Sequence, residues 1–416
     1  MANEILVEVL PEETRVAILE NRELVEYYTE KTYGRRLVGN IYRAKVQNVL
    51  PGMQAAFVDI GYSKNAFLYV KDAVFDKLFI ESIMDNTNID DTNIDDANID
   101  NTNIGSPNNK EYNINQILKP GQEITVQVIR EPTGNKGPRV TTHITLPGKY
   151  VVLVPRMDYI GISKKINSDL EKSRLKQIAE KIKPAGMGII MRTASEGMDE
   201  EDFVNDIRFL TQLWQNILER EKGKYAPCCL HTDYGLLFRT IRDFFSPDTD
   251  KLLINDPEQY EKVLEYVELI SPSLKPKIEL FRKSKSLFDY YQIDFRLAKD
   301  LARKIWLKCG GYIIIDKTEA LTVIDVNTGK YIGADSLENT VLKTNLEAAV
   351  EIARQIRLRN IGGIIIIDFI DMKDEEHKKK VIATLKDALK KDRAKTTVVG
   401  MTGLGLIEMT RKKVGD

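Results

Sequence analysis

The stretch from Leu321 to Met372 limits what this chain can fold into more than any other part of it. A short apolar run, Leu321-Thr322-Val323-Ile324, ends on Asp325 and passes into Val326-Asn327-Thr328-Gly329, which reads as a buried strand stopping at a polar turn. Between Asp335 and Arg359 the apolar residues Leu342, Leu346, Ala349, Ala353 and Ile356 recur at steps of four and three, the period of one helix face. Asn360 with Gly362-Gly363 supplies the stop. A second buried strand, Ile364-Ile365-Ile366-Ile367, follows and also ends on a carboxylate, Asp368. Two strands joined by one crossover helix run parallel, so their C-terminal ends share one edge of the sheet. Asp325 and Asp368 are therefore expected to face one crevice.

Open α/β sheets place ligands at that edge, and two carboxylates meeting there repel unless a cation or a shared proton relieves them. A hard divalent ion suits such oxygen ligands. Mg²⁺ takes one or two protein carboxylates, keeps several waters and borrows further oxygens from a phosphate. Asn327, two residues past Asp325, is placed to donate to that phosphate. A plainer reading of the same residues also stands, because an aspartate closing a strand often only caps the next turn.

Upstream, Met1 to Arg36 alternates apolar and polar residues with a turn at Glu20-Asn21-Arg22, the pattern of antiparallel strands. Five short strands with Gly-rich turns are then predicted: Asn40 to Val49, Met53 to Ile60, Asn65 to Val70, Glu123 to Arg130 and Arg139 to Thr142, the strand count of an OB-fold barrel. Phe57 and Phe67 in such strands either fill the core or stack on unpaired bases. The segment from about 75 to 115 interrupts the barrel, and Asn86 to Gly105 within it is four near-copies of an Asn-Thr-Asn-Ile-Asp pentad. Its Asn/Asp content favours a flexible loop over a stacked solenoid. Farther on, strands at Tyr150 to Val154 and Gly188 to Arg192 surround helices at Asn167 to Ile182 and Asp199 to Lys222. The second strand ends on Arg192-Thr193, a guanidinium fork beside a hydroxyl that suits a terminal phosphate, although most such surface pairs bind nothing.

At 416 residues a single core is not expected, and two to four domains are. No run of about 18 apolar residues occurs, and Met1 to Val9 carries Glu4 and Glu8 with no basic segment, so neither a membrane span nor a signal peptide is expected and the chain is placed in the cytoplasm. Cys228, Cys229 and Cys309 offer no C-x-x-C metal pair, and His143, His231 and His377 are too scattered for a zinc site. Any metal should then be held by oxygen. The net charge of −1 averages unlike parts: Lys71 to Tyr112 carries ten acids and three bases, so the remainder is about +6, which keeps nucleic acid among the candidate partners.

Several of these motifs together resemble one known family. Ile324-Asp325-Val326-Asn327-Thr328, Thr344-Asn345-Leu346-Glu347-Ala348-Ala349, Ile352-Ala353-Arg354-Gln355-Ile356-Arg357-Leu358-Arg359 and Ile367-Asp368-Phe369-Ile370-Asp371-Met372 are similar to the catalytic core of the ribonuclease E/G family. The likeness runs in register through Asn40-Ile41-Tyr42, Ala55-Ala56-Phe57-Val58-Asp59, Gly134-Asn135-Lys136-Gly137, Met191-Arg192-Thr193-Ala194 and Gly403 to Met409. It implies a multidomain α/β (α+β) fold. An RNase H-like subdomain would come from 1–36 and 236–298, with an S1-type OB-fold RNA-binding domain at 37–142 and a 5′-sensor region at 143–235 inserted in it. A DNase I-like catalytic subdomain would occupy 299–416.

By the same resemblance Asp325 and Asp368 bind the catalytic Mg²⁺, and Asn327 helps hold the scissile phosphate. Phe57, Phe67 and Lys136 contact RNA, while Arg192, Thr193, Gly148 and Val152 form the pocket for a 5′-monophosphate. The implied activity is a Mg²⁺-dependent endoribonuclease acting on single-stranded RNA, preferring 5′-monophosphorylated ends and leaving 5′-phosphate and 3′-hydroxyl products, in RNA processing and mRNA decay. A non-catalytic RNA-binding protein is the alternative, disfavoured by the presence of both aspartates with Asn327. Family members continue past the position of Lys413 into a C-x-x-C zinc link that joins two chains. This sequence reaches Asp416 without those cysteines, so a zinc-free species, monomeric or weakly dimeric, is expected.

Overall fold

The computed structural model describes residues 3–32, 36–74, 113–329 and 337–413. The pentad repeat at 86–105, expected to be a flexible loop, lies outside the described residues. The fold is mixed α/β, and the chain divides into two compact units, one from Met1–Glu30, Phe245–Tyr260 and Lys277–Asp416, the other from Lys31–Phe244 and Glu261–Pro276.

In the first unit, the alternating N-terminal residues form strands Asn3–Val9, Glu13–Glu20 and Glu23–Lys31. Asn21 and Arg22 join the last two through a tight turn with both φ positive, at 52° and 66°, the backbone twist that a two-residue hairpin needs. Strands from far along the chain complete this five-stranded sheet: Lys251–Ile254 pairs parallel to Asn3–Val9, and Ile278–Leu280 parallel to Lys251–Ile254.

A six-stranded sheet follows, in the order Lys304–Trp306, Tyr312–Lys317, Leu321–Asn327, Gly363–Asp368, Ile407–Arg411 and Thr396–Met401. Leu321–Asn327 and Gly363–Asp368 are parallel, linked by the helix Leu337–Leu358. Of the apolar stripe read from the sequence, Ala349, Ala353 and Ile356 are buried, with Ile352 beside them, against Ile313, Ile315, Ile324, Val326, Ile365 and Ile367, while Leu342 and Leu346 are partly buried; helix Glu375–Leu389 adds Val381 and Leu385 to the same core. The helix stops where expected. Asn360 adopts a left-handed φ of 46°, and the Ile361 N–H closes back on the Ile356 carbonyl at 3.0 Å. The polar edge of the helix ties down the N-terminal sheet, with Arg357 bridging Glu20 at 2.8 Å and Glu26 at 2.7 Å.

One boundary differs from the sequence reading. The strand predicted to end on Asp325 continues to Asn327, because its pairing with Tyr312–Lys317 runs on to the Tyr312–Asn327 partners. Asp325 and Asn327 are thus not turn residues. They alternate with the buried Ile324 and Val326, so they stand on the sheet face opposite the helices.

The second unit holds a closed barrel of five strands of the OB-like kind: Ile41–Leu50, Ala55–Asp59, Ala66–Tyr69, Arg139–Thr141 and Glu123–Arg130, closed by pairing of the last with the first. Small residues, Ala44, Ala56 and Ala66, join Val46, Val58, Leu68, Val126, Val128 and Val140 inside it. Cys228–His231 extends the barrel sheet along Ile41–Leu50. A four-stranded sheet, Ile160–Ile162, Gly188–Met191, Val151–Val154 and Leu146–Pro147, carries helices Asp169–Ile182 and Glu200–Gly223 over a shared core. Among the described residues no helix is long and apolar enough to cross a membrane.

Candidate functional site

The two aspartates meet across the parallel pair. Asp325 and Asp368 are direct register partners on adjacent strands, about 4.8 Å apart in backbone spacing, and both belong to the face turned away from the helices. Asn327 donates its side-chain amide to the Asp325 carboxylate at 2.8 Å. Partial burial, followed by the negative charges of Asp325 and Asp371, pushes the Asp368 carboxyl above its usual range. Among the described residues no group of three His, Cys, Asp or Glu side chains is close enough to hold a metal ion by itself. Two crowded carboxylates with the charge of Asp371 nearby still suit a hard cation that completes its shell with water and substrate oxygens.

Buried groups hold this face in place. Asn345 on the helix Leu337–Leu358 is fully buried, and its amide brackets one residue just beyond Asp368, donating to the Ile370 carbonyl at 2.8 Å and accepting from the Ile370 N–H at 3.1 Å. Glu347, two residues on, accepts from the Cys309 N–H at 3.1 Å and from that of Lys308, pinning the turn ahead of Tyr312. Gly311 sits so close that a Cβ there would come within 2.8 Å of both the Asn327 carbonyl and the Thr344 methyl. Sequence reasoning assigned Asn345 no role. Its signal was a polar amide three residues after Leu342 and four before Ala349, inside the apolar stripe.

On the barrel, Phe57 and Phe67 are direct cross-strand partners with ring centroids 6.0 Å apart at 70°. Both are half-buried and absent from the barrel core, which is filled by the residues alternating with them. Lys136 is exposed in a tight turn closed by a Thr133–Lys136 bridge. The chain leaving that turn runs beside Phe67, whose N–H donates to the Pro138 carbonyl at 2.8 Å.

The residues expected to form a 5′-phosphate pocket gather in and beside the four-stranded sheet in a way their sequence does not disclose. Arg192 is buried, and its guanidinium is already engaged, donating to the Gly148 and Lys149 carbonyls and pairing with Asp243 at 2.7 Å. Gly148 lies against the Asp206 carboxylate, which accepts the N–H groups of Lys149, Tyr150 and Val151; a Cβ at Gly148 would fall 2.4 Å from that carboxylate. Val152 is buried and pairs with Ile190. Thr193 is half-exposed with its hydroxyl 3.2 Å from that of Ser163. Ser163 in turn lines a pocket of about 390 Å³ with Ile160, Ile162, Lys164, Lys172 and Lys176. These lysines were missed, being spread over a loop and one helix face.

Comparison with known proteins points to one family. The sequence model of the "Ribonuclease E/G family" matches residues 145–414. Over its whole length the chain is 40% identical to "Ribonuclease G" of Escherichia coli strain K12, covering 81% of that protein, and 41% identical to "Ribonuclease G" of Haemophilus influenzae, covering 80%. It is also 36% identical to "Ribonuclease E" of a Nostoc species, over 98% of this chain and 56% of that protein. The barrel lies outside the family-model match but within these full-length alignments.

Proposed function

The chain belongs to the ribonuclease E/G family, and we propose on that footing that it is a Mg²⁺-dependent endoribonuclease that cuts single-stranded RNA in RNA processing and mRNA decay. The observation carrying this reading is the register pairing of Asp325 with Asp368 on an open sheet face, with the Asn327 amide on one carboxylate and the charge of Asp371 beside the other. Bound there, Mg²⁺ would supply Lewis-acid charge to the phosphate and lower the pKa of a water. The chain's own part is to hold two carboxylates for the ion and to turn the Asn327 amide toward a phosphate oxygen, a switch that breaks its bond to Asp325. Asn345 and Glu347 keep the flanking turns fixed while that happens.

Phe57, Phe67 and Lys136 would hold the single strand by stacking and charge. A preference for 5′-monophosphate is best supported by the pocket beside Thr193, where the Ser163 and Thr193 hydroxyls and three lysines could surround a dianion, with Arg192 braced behind them. The products would carry 5′-phosphate and 3′-hydroxyl ends. The test is cleavage of two matched single-stranded oligonucleotides, one with a 5′-monophosphate and one with a 5′-hydroxyl, in Mg²⁺ and in chelator. Faster cutting of the phosphorylated strand and none in chelator is expected. Metal-independent cutting would overturn the proposal.

A further inference from the structure

The carboxylate face does not end at Asn327. On the two strands beyond it the residues that point with Asp325 and Asn327 follow from register, because Ile305, Ile313 and Val326 face the core in one transverse row. The neighbouring row on the open side is Trp306, Tyr312, Asn327, and the next is Lys304, Ile314, Asp325, Asp368. Trp306 is 55% exposed although it lies within a strand. Its ring meets that of Tyr312 at 5.3 Å and 64°, and the Lys304 ammonium sits 4.3 Å from the Trp306 centroid and 3.5 Å from that of Tyr312. The Gly329 turn, two residues past Asn327, packs against both rings: a Cβ there would lie 3.2 Å from Tyr312 and 3.4 Å from Trp306.

We infer that Trp306 and Tyr312, with Lys304 beside them, form a stacking platform for one unpaired base of the RNA next to the bond being cut. The inference rests on the endoribonuclease reading and adds to it a contact on the catalytic sheet itself. An exposed indole offers an apolar face that any base can cover, and the lysine supplies the positive charge that a phosphodiester chain seeks and an apolar protein surface does not. The spacing fits. Two strand intervals, about 10 Å, separate the backbone of Trp306 from that of Asn327, within reach of nucleotides adjoining a phosphate held there.

The chain has two tryptophans, and the other, Trp214, is only 3% exposed. Contact quenching of intrinsic fluorescence therefore reports on Trp306. Titrating the full chain with a short single-stranded RNA in chelator should quench its emission saturably; Trp214→Phe should keep that quench and Trp306→Phe should lose it. With Mg²⁺, Trp306→Ala should raise KM roughly 5- to 150-fold with kcat little changed, the range that one stacked base contributes. Trp306→Phe should restore most of the loss. Placing an abasic site in turn at each nucleotide flanking the cut should reproduce the KM rise at one position for the wild type and add nothing for Trp306→Ala.

An unquenched Trp306, an unchanged KM in Trp306→Ala, or a Trp306 emission maximum that shifts with protein concentration and not with RNA would overturn the platform, the last by showing a second protein surface on it. If RNA quenches Trp306 but no substrate is cut, the platform stands as an RNA contact and the endoribonuclease reading fails instead.

Discussion

Arg192 is part of the framework of the proposed 5′-phosphate pocket. Its guanidinium joins the Gly148 and Lys149 carbonyls to Asp243, itself shared with Arg242, so Arg192→Ala leaves buried acceptors without their donor. Removing one member of such a buried cluster should cost roughly 2–4 kcal/mol, seen as a lower urea midpoint, besides erasing the preference for a 5′-monophosphate. Thr193→Val separates the two roles. With its hydroxyl half-exposed and bonded only to Ser163 in the described contacts, it should keep the wild-type midpoint and still reduce the rate ratio between phosphorylated and hydroxyl-ended RNA. A preserved ratio in Thr193→Val would remove the hydroxyl from the pocket's function.

Among the elements, the helix Leu337–Leu358 holds the carboxylate face in place through Asn345. Asn345→Ala should cost about 1–3 kcal/mol by stranding the Ile370 peptide, and should lower kcat while RNA affinity measured in chelator stays unchanged. A loss confined to affinity would contradict this positioning role. The helix, its stop at Asn360 and the parallel pair were legible in the sequence because apolar period and turn chemistry are local signals. So were the five barrel strands. The extension of one strand from Asp325 to Asn327 was not, since it is decided by a partner strand that the apolar run does not reveal. Nor were the engagement of Arg192 by Asp243 or the row of Lys304, Trp306 and Tyr312 beside Asn327, because each depends on register or on contacts between distant residues.

For the chain as a whole, acid stability should be governed partly by two imidazoles. Burial lowers the pKa of His143 and of His231 to about 4, and Arg220 adds to the effect on His231. Between the unfolded value of 6.5 and about 4 the unfolded chain takes up protons that the folded chain refuses, so stability falls with falling pH across that window. Each contributes on the order of 3 kcal/mol over the full range. His231→Gln should flatten the decline, read from urea midpoints at pH 7 and 5; an unaltered slope would exclude His231. The pentad repeat offers a second test at this scale: its composition predicts that deleting 86–104 leaves the melting temperature nearly unchanged, and a large fall would show that it packs.

The central claim is that Asp325 and Asp368 form one metal-dependent centre for cutting RNA, and its most direct measurement uses Asp325→Asn and Asp368→Asn singly. Each keeps the side chain's shape and removes one charge. Cleavage of a fluorescent single-stranded RNA in Mg²⁺ and affinity for the same RNA in chelator are measured together. The account predicts that either substitution lowers cleavage by about a thousandfold or more, the equivalent of several kcal/mol of charge stabilisation, while affinity in chelator stays within a few-fold of wild type. Cleavage at the wild-type rate in either variant would contradict it.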